Sequence, residues 1–208
     1  MLIEGVNFRE LAEVPSDLLT PVIDGCNTFD WTPERLNQPA TSGALMGGKT
    51  LEFPFIIQHP ATRFRPYTAP EIDLLNLAIP VFSWIQDFLG TPIVLIRCEY
   101  STLLPKSRIK WHIDANHNFF KYCQRIHIPV TSNEGCEQMW ERERTRFLPG
   151  KIYEYNNLVR HCAANEGDAP RTTLILDIVK ESEWETLASQ NVFNRFAKPK
   201  GNIRTFTS

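Results

Sequence analysis

The stretch Lys110-Trp111-His112-Ile113-Asp114 sets an imidazole and a carboxylate two residues apart. On an extended chain such residues point the same way, so His112 and Asp114 can face one metal ion. A third donor is needed, and His161, 49 residues further on, is the best candidate. Two histidines and one carboxylate form the facial triad of non-haem Fe(II) oxygenases, which leaves coordination positions open for a cosubstrate and O₂. A structural site usually closes its coordination sphere instead. The same residues have a second use: a surface pair at His112 and Asp114, with His161 bonded in a loop.

Two further segments bear on the choice. In Arg125-Ile126-His127-Ile128-Pro129-Val130, Arg125 and His127 share one strand face, and Ile126, Ile128 and Val130 share the other. The polar face either meets solvent or lines a pocket inside a β-sandwich. Arg171 opens Thr172-Thr173-Leu174-Ile175-Leu176-Asp177-Ile178-Val179, a run apolar on both faces that should be a central strand. A guanidinium half-buried at its start needs an anion, and a carboxylate held in a fork is the natural one; a strand-end Arg in solvent is the alternative.

The elements that must carry these groups are short. Strands are predicted over Ile93–Ser101, Gln124–Thr131, Cys136–Trp140, Thr145–Leu148, Lys151–Tyr155 and Arg171–Val179, separated by turn residues such as Pro149-Gly150. That spacing suggests a sandwich or jelly roll. The clearest helix is 71–89, opened by a Thr68/Glu71 capping box, striped with Ile72, Leu75, Ile79, Phe82, Ile85, Phe88 and Leu89, kinked at Pro80 and stopped by Gly90 and Pro92. Residues 1–68 read as short pieces with many turns. They include a helical turn at Thr32-Pro33-Glu34 and a strand over Leu51–Ile57 whose Pro54 belongs at an edge or bulge. Ser182 and Glu185 cap a last short helix, and Arg195, Lys198, Lys200 and Arg204 form a basic, solvated tail.

Composition narrows the function classes. The chain has 208 residues, 42% hydrophobic and 22% charged, as expected for one globular domain rather than a disordered chain. With 22 Lys and Arg against 24 Asp and Glu, no global basic field recruits nucleic acid. The most apolar run, Leu74 to Ile85, is too short to span a bilayer, and no export signal is visible. Five scattered cysteines without a Cys-x-x-Cys pair imply a reducing, cytoplasmic setting. His59 and His117 carry no supporting spacing. Arg142, Arg144 and Arg146 read as a solvated hairpin, or else as a basic rim to the pocket.

The series Tyr100-Ser101, Trp111-His112-Ile113-Asp114, Arg125-Ile126-His127-Ile128-Pro129, Glu134-Gly135-Cys136, Gly150, Asn156-Asn157, His161, Asn165, Arg171 and Asp177 resembles the aspartyl/asparaginyl β-hydroxylase family of Fe(II)- and 2-oxoglutarate-dependent dioxygenases. The resemblance covers residues 93–180. It implies a mainly β fold with flanking helices, a double-stranded β-helix of the jelly-roll, cupin-like type. Residues 93–180 would be its catalytic core, 1–92 a helical and irregular region packed on it, and 181–208 a short helix and tail. It also implies Fe(II) held by His112 and His161, completed by Asp114, with Ser101 and Arg171 on the distal carboxylate of 2-oxoglutarate and Arg125 and His127 near its metal-bound end. O₂ is then the co-reactant, and the substrate a free amino acid or a peptidyl Asp/Asn-type residue. Some vertebrate members look like they lack the Asp114 carboxylate, which places this chain nearer the small microbial ones. A non-catalytic module that binds a metal or small carboxylate is the reading from another class.

Overall fold

A computed structural model describes residues 3, 5–31, 50–54, 68–114 and 118–190. The Thr32-Pro33-Glu34 turn, the end of the Leu51–Ile57 strand, His59, His117 and the basic tail lie outside them.

The strands form two antiparallel sheets. The larger has the order β1-β8-β5-β10-β3-β2, from β1 (Phe8–Glu13), β2 (Thr50–Pro54), β3 (Ile93–Leu103), β5 (Gln124–Thr131), β8 (Lys151–Tyr155) and β10 (Arg171–Lys180). The smaller is β4-β9-β6-β7, from β4 (Ser107–His112), β6 (Cys136–Trp140), β7 (Glu143–Thr145) and β9 (His161–Asn165). This is a double-stranded β-helix, mainly β with flanking helices. Strand β10 is central, paired with β3 on one side and β5 on the other, as its unbroken apolar run requires. Strand β2 is the outer strand of its sheet, the place where Pro54 costs no ladder bond.

The larger sheet buries two different faces. On one, Cys98, Tyr100, Ile126, Ile128, Leu174, Leu176 and Ile178 pack against α1 (Ser16–Thr28) and α2 (Ala69–Leu89). Helix α2 begins as its capping residues demand: Glu71 accepts the Thr68 N–H at 2.7 Å. It ends on Gly90 in the left-handed region, φ 63°. The Tyr100 hydroxyl donates to the Leu74 carbonyl at 3.1 Å and pins the helix to the sheet. The buried face is Leu74, Leu75, Ala78, Val81 and Ile85, rotated from the expected stripe, so Phe88 is largely exposed. By length and composition α2 does meet the requirement for crossing a bilayer, contrary to the expectation of too short a run; here that face is packed on the sheet.

Other expectations need correction. Strand β7 is Glu143–Thr145, not Thr145–Leu148: Trp140 pairs with Glu143 across a two-residue turn, and the chain then leaves the ladder to put Phe147 among Phe8, Trp140 and Tyr153. Helix α1 stands where turns were expected. Its Pro21 removes one helical bond, but Leu19, Val22 and Cys26 are buried against the sheet and α2. Strand β1 stands in the same misread region, paired with β8.

Leu75 is fully buried between α2 and the sheet. Leu75→Ala should lower unfolding free energy by about 2–5 kcal/mol, read from denaturant titration.

Candidate metal centre

The other face of the larger sheet is polar and looks toward the smaller sheet. Alternation puts Arg97, Glu99 and Ser101 of β3, Arg125 and His127 of β5, and Arg171, Thr173 and Asp177 of β10 on it, because residues paired across an antiparallel ladder share a face. The smaller sheet presents His112, Gln138, Trp140 and His161.

The three proposed ligands meet. His112 ends β4 and His161 begins β9, and the ladder pairs them directly, with ring centroids 4.3 Å apart. The segment around His161 is therefore strand, not loop. Asp114 lies just past β4, held there by its N–H donating to the Asn157 carbonyl at 3.0 Å. Ligand atoms of His112, Asp114 and His161 all lie within 4.8 Å of one another, and theirs is the one such cluster among the described residues. In both histidines Nδ1 faces a carbonyl two residues earlier: Lys110 O at 2.7 Å and Val159 O at 2.8 Å. A carbonyl only accepts, so Nδ1 carries the proton and Nε2 keeps its lone pair for a metal. Burial pushes His161 down to about 4, so at neutral pH it is an unprotonated donor. Burial would lower His112 as well, but the facing Asp114 carboxylate and the Lys110 carbonyl favour its protonated form and raise it in the metal-free protein.

A row of buried charge backs the cluster. Arg125 donates from Nε and Nη2 to the two oxygens of Asp177 at 2.8 and 3.1 Å, and from Nη1 to Asp114. Arg97 donates to Asp177 from Nε at 2.7 Å and pairs with Glu99 at 3.0 Å. Phe120, in a short 3₁₀ turn (Asn118–Lys121), lies over both guanidiniums, 4.5 Å from Arg125 and 5.4 Å from Arg97. Burial alone would raise Asp114, yet the Arg125 guanidinium, together with His112 and His161, outweighs it and holds the carboxyl well below the usual range. Asp177 is lowered in the same way, against its own burial, by Arg125 and Arg97.

Arg171 is buried, and its guanidinium donates to the neutral Gln138 amide oxygen at 3.1 Å. Among the described residues it has no carboxylate partner, and burial lowers its pKa. Ser101 lies on the same face, opposite Thr173, which is two residues from Arg171. His127 stacks on Tyr155 at 4.2 Å, with both ring nitrogens buried and unpartnered. Burial, followed by Arg125 and Arg171, holds its pKa well below 6.5, so it is neutral. A buried cation lacking an anion and an imidazole lacking a partner, beside two free Nε2 donors and a carboxylate, fit an iron ion with a dicarboxylate.

Several residues of this site carry no role in the sequence reading. Asp177, Arg97 and Glu99 are charges inside apolar strands, a signal in itself, since such groups are buried only when paired. Gln138 also bonds the Tyr155 hydroxyl at 2.6 Å, a contact between the sheets that no local pattern announces. Asn165, by contrast, is a structural hub: its amide donates to the Leu103 and Ala169 carbonyls at 3.0 and 2.9 Å. Arg142, Arg144 and Arg146 are exposed, with Arg144 4.0 Å from Glu137, as a solvated hairpin requires.

A double-stranded β-helix holding two histidines and a carboxylate between its sheets is the arrangement of the 2-oxoglutarate- and Fe(II)-dependent oxygenases. Residues 85–181, which contain every site residue above, match the model of the family described as Aspartyl/Asparaginyl beta-hydroxylase. Over this segment the chain is thus similar to enzymes of the hydroxylase type. No curated protein matches it by sequence. Among solved structures it is similar to a 2OG-Fe(II) oxygenase family oxidoreductase from Burkholderia pseudomallei, at 16% identity and TM-score 0.58, over 86% of this chain and 93% of that one. It is similar too to the non-heme alpha ketoglutarate dependent epimerase SnoN from nogalamycin biosynthesis, at 12% and 0.53 over 84% and 78%. A third is the viral collagen prolyl hydroxylase from Paramecium Bursaria Chlorella virus-1, at 10% and 0.50 over 84% and 97%. At these identities the likeness establishes the fold.

The buried His127 makes a pH prediction for the metal-free protein. Its folded pKa lies below the unfolded value of about 6.5, so its contribution to stability is full above that pH and is lost as pH falls. Between pH 7.5 and 5.5 the parent should lose about 1.4 kcal/mol from this group. His127→Phe, which can keep the stack on Tyr155, should flatten the slope, as read by denaturation in chelator at the two pH values.

Proposed function

We propose that this protein hydroxylates an unactivated C–H bond of an amino acid or of a peptidyl Asp/Asn-type residue, with 2-oxoglutarate and O₂ as co-reactants and Fe(II) as cofactor, and that it does so in the cytoplasm. The observation that carries the reading is the buried Arg171, without a carboxylate partner among the described residues, on the same sheet face that backs an open two-histidine, one-carboxylate cluster. Five buried free thiols support a reducing compartment.

His112, His161 and Asp114 would hold the iron. With 2-oxoglutarate bound, Fe(II) supplies oxygen activation coupled to oxidative decarboxylation, which yields succinate, CO₂ and a hydroxylated product. The protein's own groups do the rest. Arg171 takes the distal carboxylate in a fork, and Gln138 aligns the guanidinium for it. Ser101 offers a hydroxyl on the same face. His127, neutral and unpartnered, can donate to the metal-proximal end without adding charge. Phe8, Trp140, Phe147 and Tyr155 pack beside the cluster and keep water from that side. On the inner face three carboxylates (Glu99, Asp114, Asp177) balance three guanidiniums (Arg97, Arg125, Arg171), so a dication and a dicarboxylate together would leave that face neutral.

Arg171→Ala should weaken 2-oxoglutarate binding by about 2–3 kcal/mol, the scale of a lost charged partner, while iron affinity without cosubstrate stays near the parent value. Equal 2-oxoglutarate affinity in calorimetric titration would remove Arg171 from the site. Under Fe(II), 2-oxoglutarate and ascorbate, a panel of amino acids and Asp/Asn peptides should show a gain of one oxygen by mass. His161→Ala should abolish succinate formation. Asp114→Gly should lower it about 100-fold or more. Full activity in His161→Ala would end the oxygenase reading.

A further inference from the structure

His161 is buried, while the side chains of His112 and Asp114 keep 15% and 19% of their surface in solvent. The approach to the cluster therefore lies at the end of β4. We propose that the residues around that approach, Lys110, Trp111, Ile113 and Arg160, form a docking surface for an acidic polypeptide segment that carries the reacting residue. The inference rests on the oxygenase reading above and narrows its substrate class.

Strand β4 is the outer strand of the smaller sheet, and it carries a bulge just before the cluster. Ile109 pairs with Ala163 and His112 with His161, so three steps along β4 match two along β9. The extra residue returns His112 to the inner face and leaves Lys110 and Trp111 both exposed. Beyond His112 the ordinary alternation sends Ile113 outward and Asp114 back in. Trp111 and Ile113 are 42% and 44% exposed, so large apolar groups stand in solvent on both sides of a metal ligand. One such residue alone is normal on a surface; a pair astride a ligand marks a contact face.

The charge on this face selects the partner. Arg160, the residue before His161, sets its guanidinium 5.5 Å from the centroid of the Trp111 ring. Among the described residues neither Arg160 nor Lys110 has an acidic partner. Earlier on the same strand the exposed cations are answered: Lys106 pairs with Asp168 at 2.9 Å and Arg108 with Glu166 at 2.7 Å. Two unanswered cations beside an aromatic ring suit carboxylates arriving on an extended chain. Trp and Arg are also the side chains that protein interfaces favour. A free amino acid held at the metal lies on the inner face and meets none of these groups. A polypeptide that crosses the end of β4 meets both faces.

The test is binding of capped peptides to the metal-free full-length chain, read by anisotropy of a dye-labelled probe and by competition with unlabelled ones. The probes carry a central Asn flanked on both sides by Glu, or on both sides by Lys, with N-acetyl-asparagine amide as the small control. The Glu peptide should bind about 10-fold or more tighter than the Lys peptide, by a margin that shrinks as salt rises. Arg160→Glu/Lys110→Glu should erase that preference, and the milder Arg160→Gln/Lys110→Gln should reduce it. Trp111→Ser should weaken the Glu peptide about 3-fold. In all three variants 2-oxoglutarate binding to the Co(II)-loaded protein should match the parent, which also shows that they fold. Equal affinity of the parent for the two peptides, or an unchanged preference in the charge-reversed variant, overturns the inference. N-acetyl-asparagine amide binding as tightly as the Glu peptide overturns it too. So does a parent that self-associates through this face, shown by a dimer in sizing that the charge-reversed variant loses, since the occupant is then a second copy. Selective binding of the Glu peptide by a parent that forms no succinate from Fe(II), 2-oxoglutarate and O₂ overturns the oxygenase reading instead and upholds the docking surface.

Discussion

Arg125 cannot be buried without carboxylates, and this requirement ties the structure together. A guanidinium out of water is tolerable only when its donors are met by groups of opposite charge with good geometry. Asp177 supplies two acceptors from the neighbouring strand, and Asp114 supplies one from the loop after β4. Strand β10 must therefore lie beside β5 in the one register that pairs Asp177 with Arg125. The smaller sheet must also approach closely enough to bring Asp114 over the larger one. A slip of one residue would turn Asp177 onto the apolar face, unpaired, and strip Arg125 and Arg97 of one partner each.

The larger sheet does two unlike jobs. Its outer face is a conventional core, with Ile126, Ile128, Leu174 and Leu176 under two helices. Its inner face is lined with charges, amides and aromatic rings that no monomeric core would choose. Stability comes from the first, and it supports the second, where His127 is without a hydrogen-bond partner and Arg171, among the described residues, is without a carboxylate. Such unmet groups cost free energy in the absence of a ligand, so they mark where a ligand is expected.

The functional residues are dispersed for a physical reason. His112 and Asp114 are local neighbours and share a direction through the period of an extended chain. His161 joins them only because β9 pairs with β4, so that two strand ends meet. Gln138 reaches Arg171 from the opposite sheet. Spacing in the chain shows the first relation directly; the second and third are consequences of topology.

Residue types and alternation alone determined a good part of this protein. They placed five strands nearly to the residue, the capped helix and its glycine stop, the centrality of the strand after Arg171, and the single strand face shared by Arg125 and His127, though not whether that face looks inward. These features are local, set by side-chain period, turn chemistry and burial of apolar runs. The helix at 16–28 and the strand before it were not legible, because Pro15 and Pro21 mimic a turn and the compensating burial is supplied by a sheet far along the chain. The roles of Asp177, Arg97 and Gln138 were equally hidden: a charge in an apolar strand announces that it has a partner but not which one. Only the tertiary structure decided that Arg125 answers to Asp177 and Asp114, and that Arg171 meets the neutral Gln138, because those pairings depend on which strands lie side by side and which sheet faces which.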